Sequence, residues 1–260
     1  MDIINKHLDK LHKREQKILN KKQGIIEEKL EPLVDKVESK VPKTLKDALD
    51  SAFYKSFEII FEKGTKYIEK LYNKNKIQIN HNVNDYHVSR KADRKALKKI
   101  DRHAQKSAIL NTSISTIEGA GLGFLGIGMP DIPLFTAMIL KTIYEISLSY
   151  GFLYEIDEEK VYVLNIIKAS LTSGETQHKY NLKVDKLADK IDNHINIVYD
   201  LDREIAHTAR ILSETMLTSK FIQGIPVVGV VGSISNYKII NKISNYASIK
   251  YKKRYLSRVK

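Results

Sequence analysis

Apolar residues in this chain recur every three or four positions and never alternate convincingly, and that spacing decides what it can fold into. Ile4, Leu11, Ile18 and Ile25 stand seven residues apart, with Leu8 between the first two. Such intervals gather side chains on one face of an α-helix, whereas a half-buried strand needs a period of two. The alternate seam positions are Glu15, Lys22 and Lys29, so the stripe is half filled and a strong coiled coil is not expected. Residues 1–34 therefore read as an N-terminal amphipathic basic helix, lying on the rest of the protein or on a membrane surface. Residues 35–260 read as the main helical domain.

The same period continues downstream. Pro32 and Pro42 punctuate a short segment carrying Val34, Val37 and Val41. Thr44 with Asp47 resembles a capping box. Leu45, Leu49, Phe53, Phe57, Ile60 and Phe61 then make a broad apolar face, with a bend expected near Gly64. Asn73 to Asp85, rich in Asn, reads as a loop. A helix is expected from about Ser89, with eight Lys or Arg between Arg90 and Lys106 against Asp93 and Asp101. Its apolar edge is Ala92, Ala96, Leu97, Ile100 and Ala104, which leaves Arg90, Lys91, Lys95, Lys98, Lys99 and Arg102 on a basic outer face.

After Lys106 the character changes. From Ser107 to Leu140 the only charges are Glu118 and Asp131. That region ends in a helix through Ile143, Ile146 and Tyr150, stopped by Gly151. One helix is expected over Glu155–Glu175 and one or two over Tyr180–Lys220, before a second uncharged run, Phe221–Tyr237. The last helix begins near Lys238, with Ile239, Ile243, Ala247, Tyr251 and Tyr255 as its seam. Its last 23 residues carry eight Lys or Arg and no acid, and Lys250, Lys252, Lys253 and Arg254 are expected to be solvated or membrane-facing. The fold class is all-α: a multi-helix bundle with glycine-rich apolar helices or hairpins in its core. Only 12 glycines and 5 prolines leave too little turn chemistry for a sandwich or barrel.

Composition removes several function classes. There is no cysteine, hence no disulfide, thiolate catalysis or Cys-based metal site. The eight histidines show no H-x-x-x-H or H-E-x-x-H spacing, so no metal is expected. Neither G-x-S-x-G nor a Walker A motif is present. Met1 to Lys6 does not begin a signal peptide, and no run of about 20 apolar residues suggests a conventional spanning helix. A cytoplasmic location is expected. The formal charge of +13 partly reflects Lys-, Ile- and Asn-rich coding, yet its field still favours anionic membranes and nucleic acid.

Gly121-Leu122-Gly123-Phe124-Leu125-Gly126 spells G-x-G-x-x-G. A dinucleotide fingerprint needs a strand before it and a helix opening directly after it, and here Met129-Pro130-Asp131 breaks the chain just past the last glycine. No nucleotide cofactor is expected. Gly119, Gly121, Gly123, Gly126 and Gly128, and later Gly224, Gly229 and Gly232 around Pro226, suit close helix packing instead. These runs fit a buried hairpin, and also fit a segment that inserts partway into a membrane. Asp131 and Glu145 stand among apolar residues and could form a catalytic carboxylate pair. The structural alternative places Asp131 at a helix N-cap and pairs Glu145 with Lys141, four residues earlier.

Three segments together resemble the EcsC family, bacterial proteins often encoded with the subunits of an ABC exporter-like transporter. Val41-Pro42-Lys43 and the helix after it resemble its N-terminal entry. Gly119, Gly121 and Gly123, then Pro130-Asp131-Ile132-Pro133, then Tyr150-Gly151 resemble its central signature. Pro226, Gly229, Gly232, Asn236 and Tyr237 resemble its C-terminal one, the whole spanning about residues 35–256. Leu153 stands where an Asp often follows in the family. The resemblance implies a helical fold and transporter subunits as partners, and names no reaction.

The leading expectation is a non-enzymatic protein at the inner face of the cell membrane, a transporter accessory or lipid-contacting factor touching anionic lipid through its basic helices. The alternatives are a hydrolytic enzyme using Asp131 and Glu145, and a nucleic-acid-binding protein stacking bases on Tyr237, Tyr246, Tyr251 and Tyr255.

Overall fold

Helices account for every regular element in the computed structural model, which describes residues 3–20, 41–91, 93–110, 131–222 and 233–260. The order is α1 (Ile3–Leu19), α2 (Lys43–Ile59), a π-helical turn (Ile60–Gly64), α3 (Thr65–Glu69), α4 (Lys74–Arg90) and α5 (Arg94–Leu110). Next come α6 (Asp131–Ser149), α7 (Asp157–Leu171), α8 (Gly174–Asp192), α9 (Leu201–Ile222) and α10 (Ser233–Arg258). Both glycine-rich runs, with Gly119, Gly121, Gly123, Pro130, Pro226, Gly229 and Gly232, lie outside the described residues, as does the 34/35 boundary.

The bundle is organised around α6 and α7, whose side chains are buried almost all round. A helix without a polar face has to sit inside. Ile132–Ser149 is long and apolar enough to cross a membrane, but 94% of that stretch is buried within the protein, as in a core helix. Its buried hydroxyls need no outside partner. Thr136, Thr142 and Ser149 donate to the carbonyls of Ile132, Met138 and Glu145, at 2.9, 2.8 and 2.7 Å. Around this centre α2, α4 and α5 pack on α6, and α8 and α9 pack on α7. The long α10 lies against both central helices, and α1 lies on α10. Ile4 and Leu11 of α1 belong to the same hydrophobic cluster as the central helices.

Two local expectations are corrected. The segment Asn73–Asp85 is helical, not a loop: Asn73 caps α4 by accepting the Lys76 N–H at 2.8 Å, and Asn84 and Val88 are buried. The capping box at Thr44 and Asp47 does not form, because α2 begins at Lys43 with Pro42 preceding it. The bend expected near Gly64 takes the form of a π-turn, in which Thr65 donates its hydroxyl to the Ile60 carbonyl at 3.0 Å.

Gly151 ends α6 as expected. Its φ of +81° is left-handed, and the N–H groups of Phe152 and Gly151 reach the carbonyls of Ser147 and Leu148 at 2.9 and 3.0 Å, a Schellman cap. A Cβ at Gly151 would also lie 2.2 Å from His81 Nε2. His81 in turn bonds the Ser149 carbonyl through Nδ1 at 3.1 Å, tying α4 to the end of α6. The Tyr150-Gly151 pair of the motif is thus a junction between helices.

Candidate functional site

Helix α5 is shaped by its cap and its apolar edge. Asp93 accepts the N–H groups of Lys95 and Ala96 at 2.9 and 2.8 Å, which fixes the helix start. Ala96, Leu97 and Ile100 are buried, where α5 meets α4 and α6. What remains outward is Arg94, Lys95, Lys98, Lys99 and Arg102, all exposed, and none forms an ion pair with a described residue. Lys91 and Arg90 precede them, also exposed, with Arg90 bonded to the Tyr86 hydroxyl at 3.2 Å.

Helix α1 extends this basic surface. Lys6, Lys10, Lys13 and Lys17 follow helical spacing and are exposed, opposite the buried Ile4, Leu11 and Glu15. Between α1 and the start of α5 runs a groove of about 470 Å³ lined by Lys6, His7, Lys10, Lys13 and Arg94, with Asp9 as its one acid. Burial, then the Lys252 ammonium, lowers the His7 imidazole below its ordinary value, so the ring is mostly neutral at pH 7.

The C-terminal basic helix behaves differently and corrects the sequence expectation. Lys250, Lys252, Lys253 and Arg254 are not a solvated face; each points to acids supplied by other helices. Lys250 is 1% exposed and pairs with Glu15 of α1 and with Asp185 of α8, the latter at 2.7 Å. Lys253 reaches Glu15 at 2.7 Å and Lys252 reaches Asp101 at 2.6 Å. Arg254 forks onto Asp192 at 3.0 and 2.7 Å and meets Glu159 at 2.7 Å. Its guanidinium also lies 4.2 and 4.6 Å from the ring centroids of Phe152 and Tyr162.

Electrostatics obey this geometry. Burial pushes the Glu15 carboxyl up, but Lys250 and Lys253 outweigh it and hold it below the usual range. For Glu159 burial wins and raises the carboxyl despite Arg254. In a second inner pair, Lys168 bonds Glu204, and burial pushes its ammonium down to about 8 against that partner's pull.

Of the two carboxylates of the catalytic alternative, the described residues settle the surroundings of Glu145 alone. Glu145 is buried and bonds Lys141 at 3.2 Å, the helical pairing its spacing allowed. Asp131 opens α6, and its side chain lies outside the described residues. Of the tyrosines in the base-stacking alternative, Tyr251 and Tyr255 are 0% and 3% exposed, packed inward as their place on the apolar seam predicts, and Tyr246 is 1% exposed; the three bond Glu159, Asp85 and Asn181 respectively. Tyr237 alone of the four is exposed. Asn236 keeps a buried Oδ1 without a hydrogen-bond partner among the described residues.

A further polar cluster escaped the sequence reading. The Tyr154 hydroxyl meets that of Tyr72 and donates to Glu69 at 2.7 Å, while Lys74 joins Glu69, at 2.9 Å, to Glu155. Burial raises both phenols, so they act as neutral donors rather than nucleophiles. No local motif announces it, since Tyr72 and Tyr154 are 82 positions apart. A signal did exist for another missed feature. Asn241, Ser244, Asn245, Ser248 and Lys252 recur at helical spacing along α10 and form a polar stripe beside the apolar seam.

Comparison with known proteins agrees with the motif resemblance. The uncharacterized protein YdbA of Bacillus subtilis (strain 168) is 27% identical over 161 residues, a stretch covering 60% of this chain and 57% of that protein. No solved structure matches the chain. The sequence pattern of the EcsC protein family matches residues 5–256, taking in α1 as well as the helices that carry the motifs. The chain belongs to the EcsC family.

Proposed function

We propose that the protein is a non-enzymatic, peripheral protein of the inner membrane surface, docking on anionic lipid through the outer faces of α5 and α1. The observation that carries this reading is the row Arg94, Lys95, Lys98, Lys99 and Arg102, exposed and without an acid partner among the described residues. Each Lys or Arg near an anionic surface contributes about 1 kcal/mol. Five such charges, with those of α1 beside them, are sufficient for reversible capture without a spanning helix. The role of transporter accessory is a partner question within this reading, and family membership is its support.

The test is sedimentation with vesicles of neutral lipid or of neutral lipid mixed with phosphatidylglycerol, at low and high salt. Binding to the anionic vesicles alone, weakening as salt shortens the Debye length, is the expected result. A variant with Lys95, Lys98, Lys99 and Arg102 each changed to Glu should stay folded and lose that binding. If wild-type protein ignores anionic vesicles at low salt, the reading fails. A salt-resistant fraction would add partial insertion of the glycine-rich runs to it.

A further inference from the structure

A cavity of about 230 Å³ lies where α1, α5, α6 and α10 meet. One wall is the polar stripe of α10: Asn241, Ser244, Asn245, Ser248 and Lys252. Facing it are Arg14, Asp101 and Tyr150. Part of this polar set is already engaged. Tyr150 donates its hydroxyl to Asp101 at 3.2 Å, Lys252 pairs with the other oxygen of Asp101, and Ser244 donates to the Asn241 carbonyl at 3.1 Å. The Asn245 amide nitrogen donates to Asn241 Oδ1 at 3.2 Å.

What remains is specific. Arg14 forms no ion pair and Ser248 no side-chain hydrogen bond with a described residue. Asn241 keeps its amide N–H₂, and Asn245 keeps its amide oxygen. Two cations against one carboxylate give the walls a surplus positive charge. A fork-shaped guanidinium with a hydroxyl and an amide N–H₂ suits phosphate oxygens. An amide oxygen beside them suits a hydroxyl donor. The volume matches a small polar molecule, since drug-sized sites begin at about 300 Å³.

We infer that this cavity binds the phosphate and hydroxyl groups of a small phosphorylated polyol, glycerol phosphate in chemical class, either free or as the headgroup of phosphatidylglycerol. Arg14 and Ser248 hold the phosphate, Asn241 adds a donor, and Asn245 accepts from a polyol hydroxyl. The lipid form of the inference rests on the membrane reading above; the free form does not.

The test is calorimetric titration of the full chain with sn-glycerol 3-phosphate and with inorganic phosphate, run beside vesicle sedimentation. Saturable binding of glycerol phosphate, tighter than that of inorganic phosphate, is expected. Arg14→Gln should weaken it about tenfold and Ser248→Ala less, with melting temperatures unchanged because Arg14 is exposed and Ser248 half-buried. Phosphatidylglycerol vesicles should also bind more tightly than phosphatidylserine vesicles of equal charge density, and Arg14→Gln should erase that difference. If glycerol phosphate binds while vesicles of both lipids are ignored, the ligand is the free form and only the membrane reading falls. If vesicles bind by charge alone and glycerol phosphate shows no saturable binding up to about 10 mM, the cavity assignment is overturned while the membrane reading stands. Equal binding in wild type and Arg14→Gln overturns it as well.

Discussion

As sequences, α5 and α10 look alike: each strings Lys and Arg along a helix with an apolar edge, and each adjoins an uncharged glycine-rich run. In the structure they differ completely. The α5 cations are exposed with no acid paired to them among the described residues, whereas those near the end of α10 are drawn inward by carboxylates from α1, α5, α7 and α8. The high positive charge of the chain therefore has two meanings. In α10 it ties helices of the bundle together, and in α5 it is exposed and meets no acid among the described residues. Charge count alone does not distinguish the two. Partner geometry does.

The largest effect should come from α10. Arg254→Met removes the cation between Glu159 and Asp192, leaving a carboxylate that is itself almost fully buried. Breaking a buried pair from one side typically costs about 3–5 kcal/mol. Urea denaturation should show that loss, and Arg102→Met in α5 should show almost none. Equal losses in the two helices would erase the distinction between them.

Glu15 sharpens the same contrast with a pH signature. Its carboxyl lies below the usual value because Lys250 and Lys253 outweigh its burial. A carboxyl lower in the folded than in the unfolded state stabilises above its unfolded pKa, and that stability is lost as pH falls through the folded one. Glu15→Gln should cost about 2 kcal/mol near neutrality. It should also flatten the fall in stability that the wild type shows below about pH 4.5. An unchanged acid limb would mean that Glu15 does not clamp α10.

These partners explain what the sequence could and could not disclose. The helical period is a local property, so α2, α6, α7 and the end of α6 at Gly151 were legible. The Lys141–Glu145 pair was too, being four residues apart. The α4 segment was missed because Asn-rich composition is a weak local signal, and its helicity draws on packing of Asn84, Val88 and His81 against neighbours. The fate of the α10 cations was illegible for a different reason: Lys253 and Glu15 are 238 positions apart. The exposed face of α5 was readable because it needs no partner.

A smaller effect lies at the end of α8, which carries Asp185 and Asp192 to the α10 cations. His194 has a φ of 55°, with Ile195 N–H bonding the Lys190 carbonyl at 2.8 Å and His194 N–H bonding that of Ile191 at 3.2 Å. This is the glycine position of a Schellman cap occupied by a β-carbon residue. His194→Gly should stabilise the protein by roughly 0.5–1 kcal/mol in thermal unfolding, relief of left-handed strain outweighing the added freedom of the unfolded chain. A loss of stability instead would show that the His194 side chain contributes more than its backbone conformation costs.

The smallest effect is the most discriminating, because stability and binding should move in opposite directions. Lys98 has Arg94 one turn before it and Arg102 one turn after, and all three are exposed on α5. Like charges four residues apart destabilise a helix by a few tenths of a kcal/mol, and opposite charges stabilise it by a similar amount. Lys98→Glu converts both repulsions into attractions, so it should raise stability by roughly 0.5 kcal/mol. The same change puts a negative charge in the centre of the proposed lipid-facing row, so it should lower binding to phosphatidylglycerol vesicles at low salt. A surface whose natural residues make the fold slightly worse is one where another requirement outweighs stability. Arg254→Met has no such opposition, since its loss of stability brings no compensating gain. If Lys98→Glu stabilised the protein and left vesicle binding intact, the α5 row would be a solvated face without a partner, and the difference from α10 would be one of packing alone.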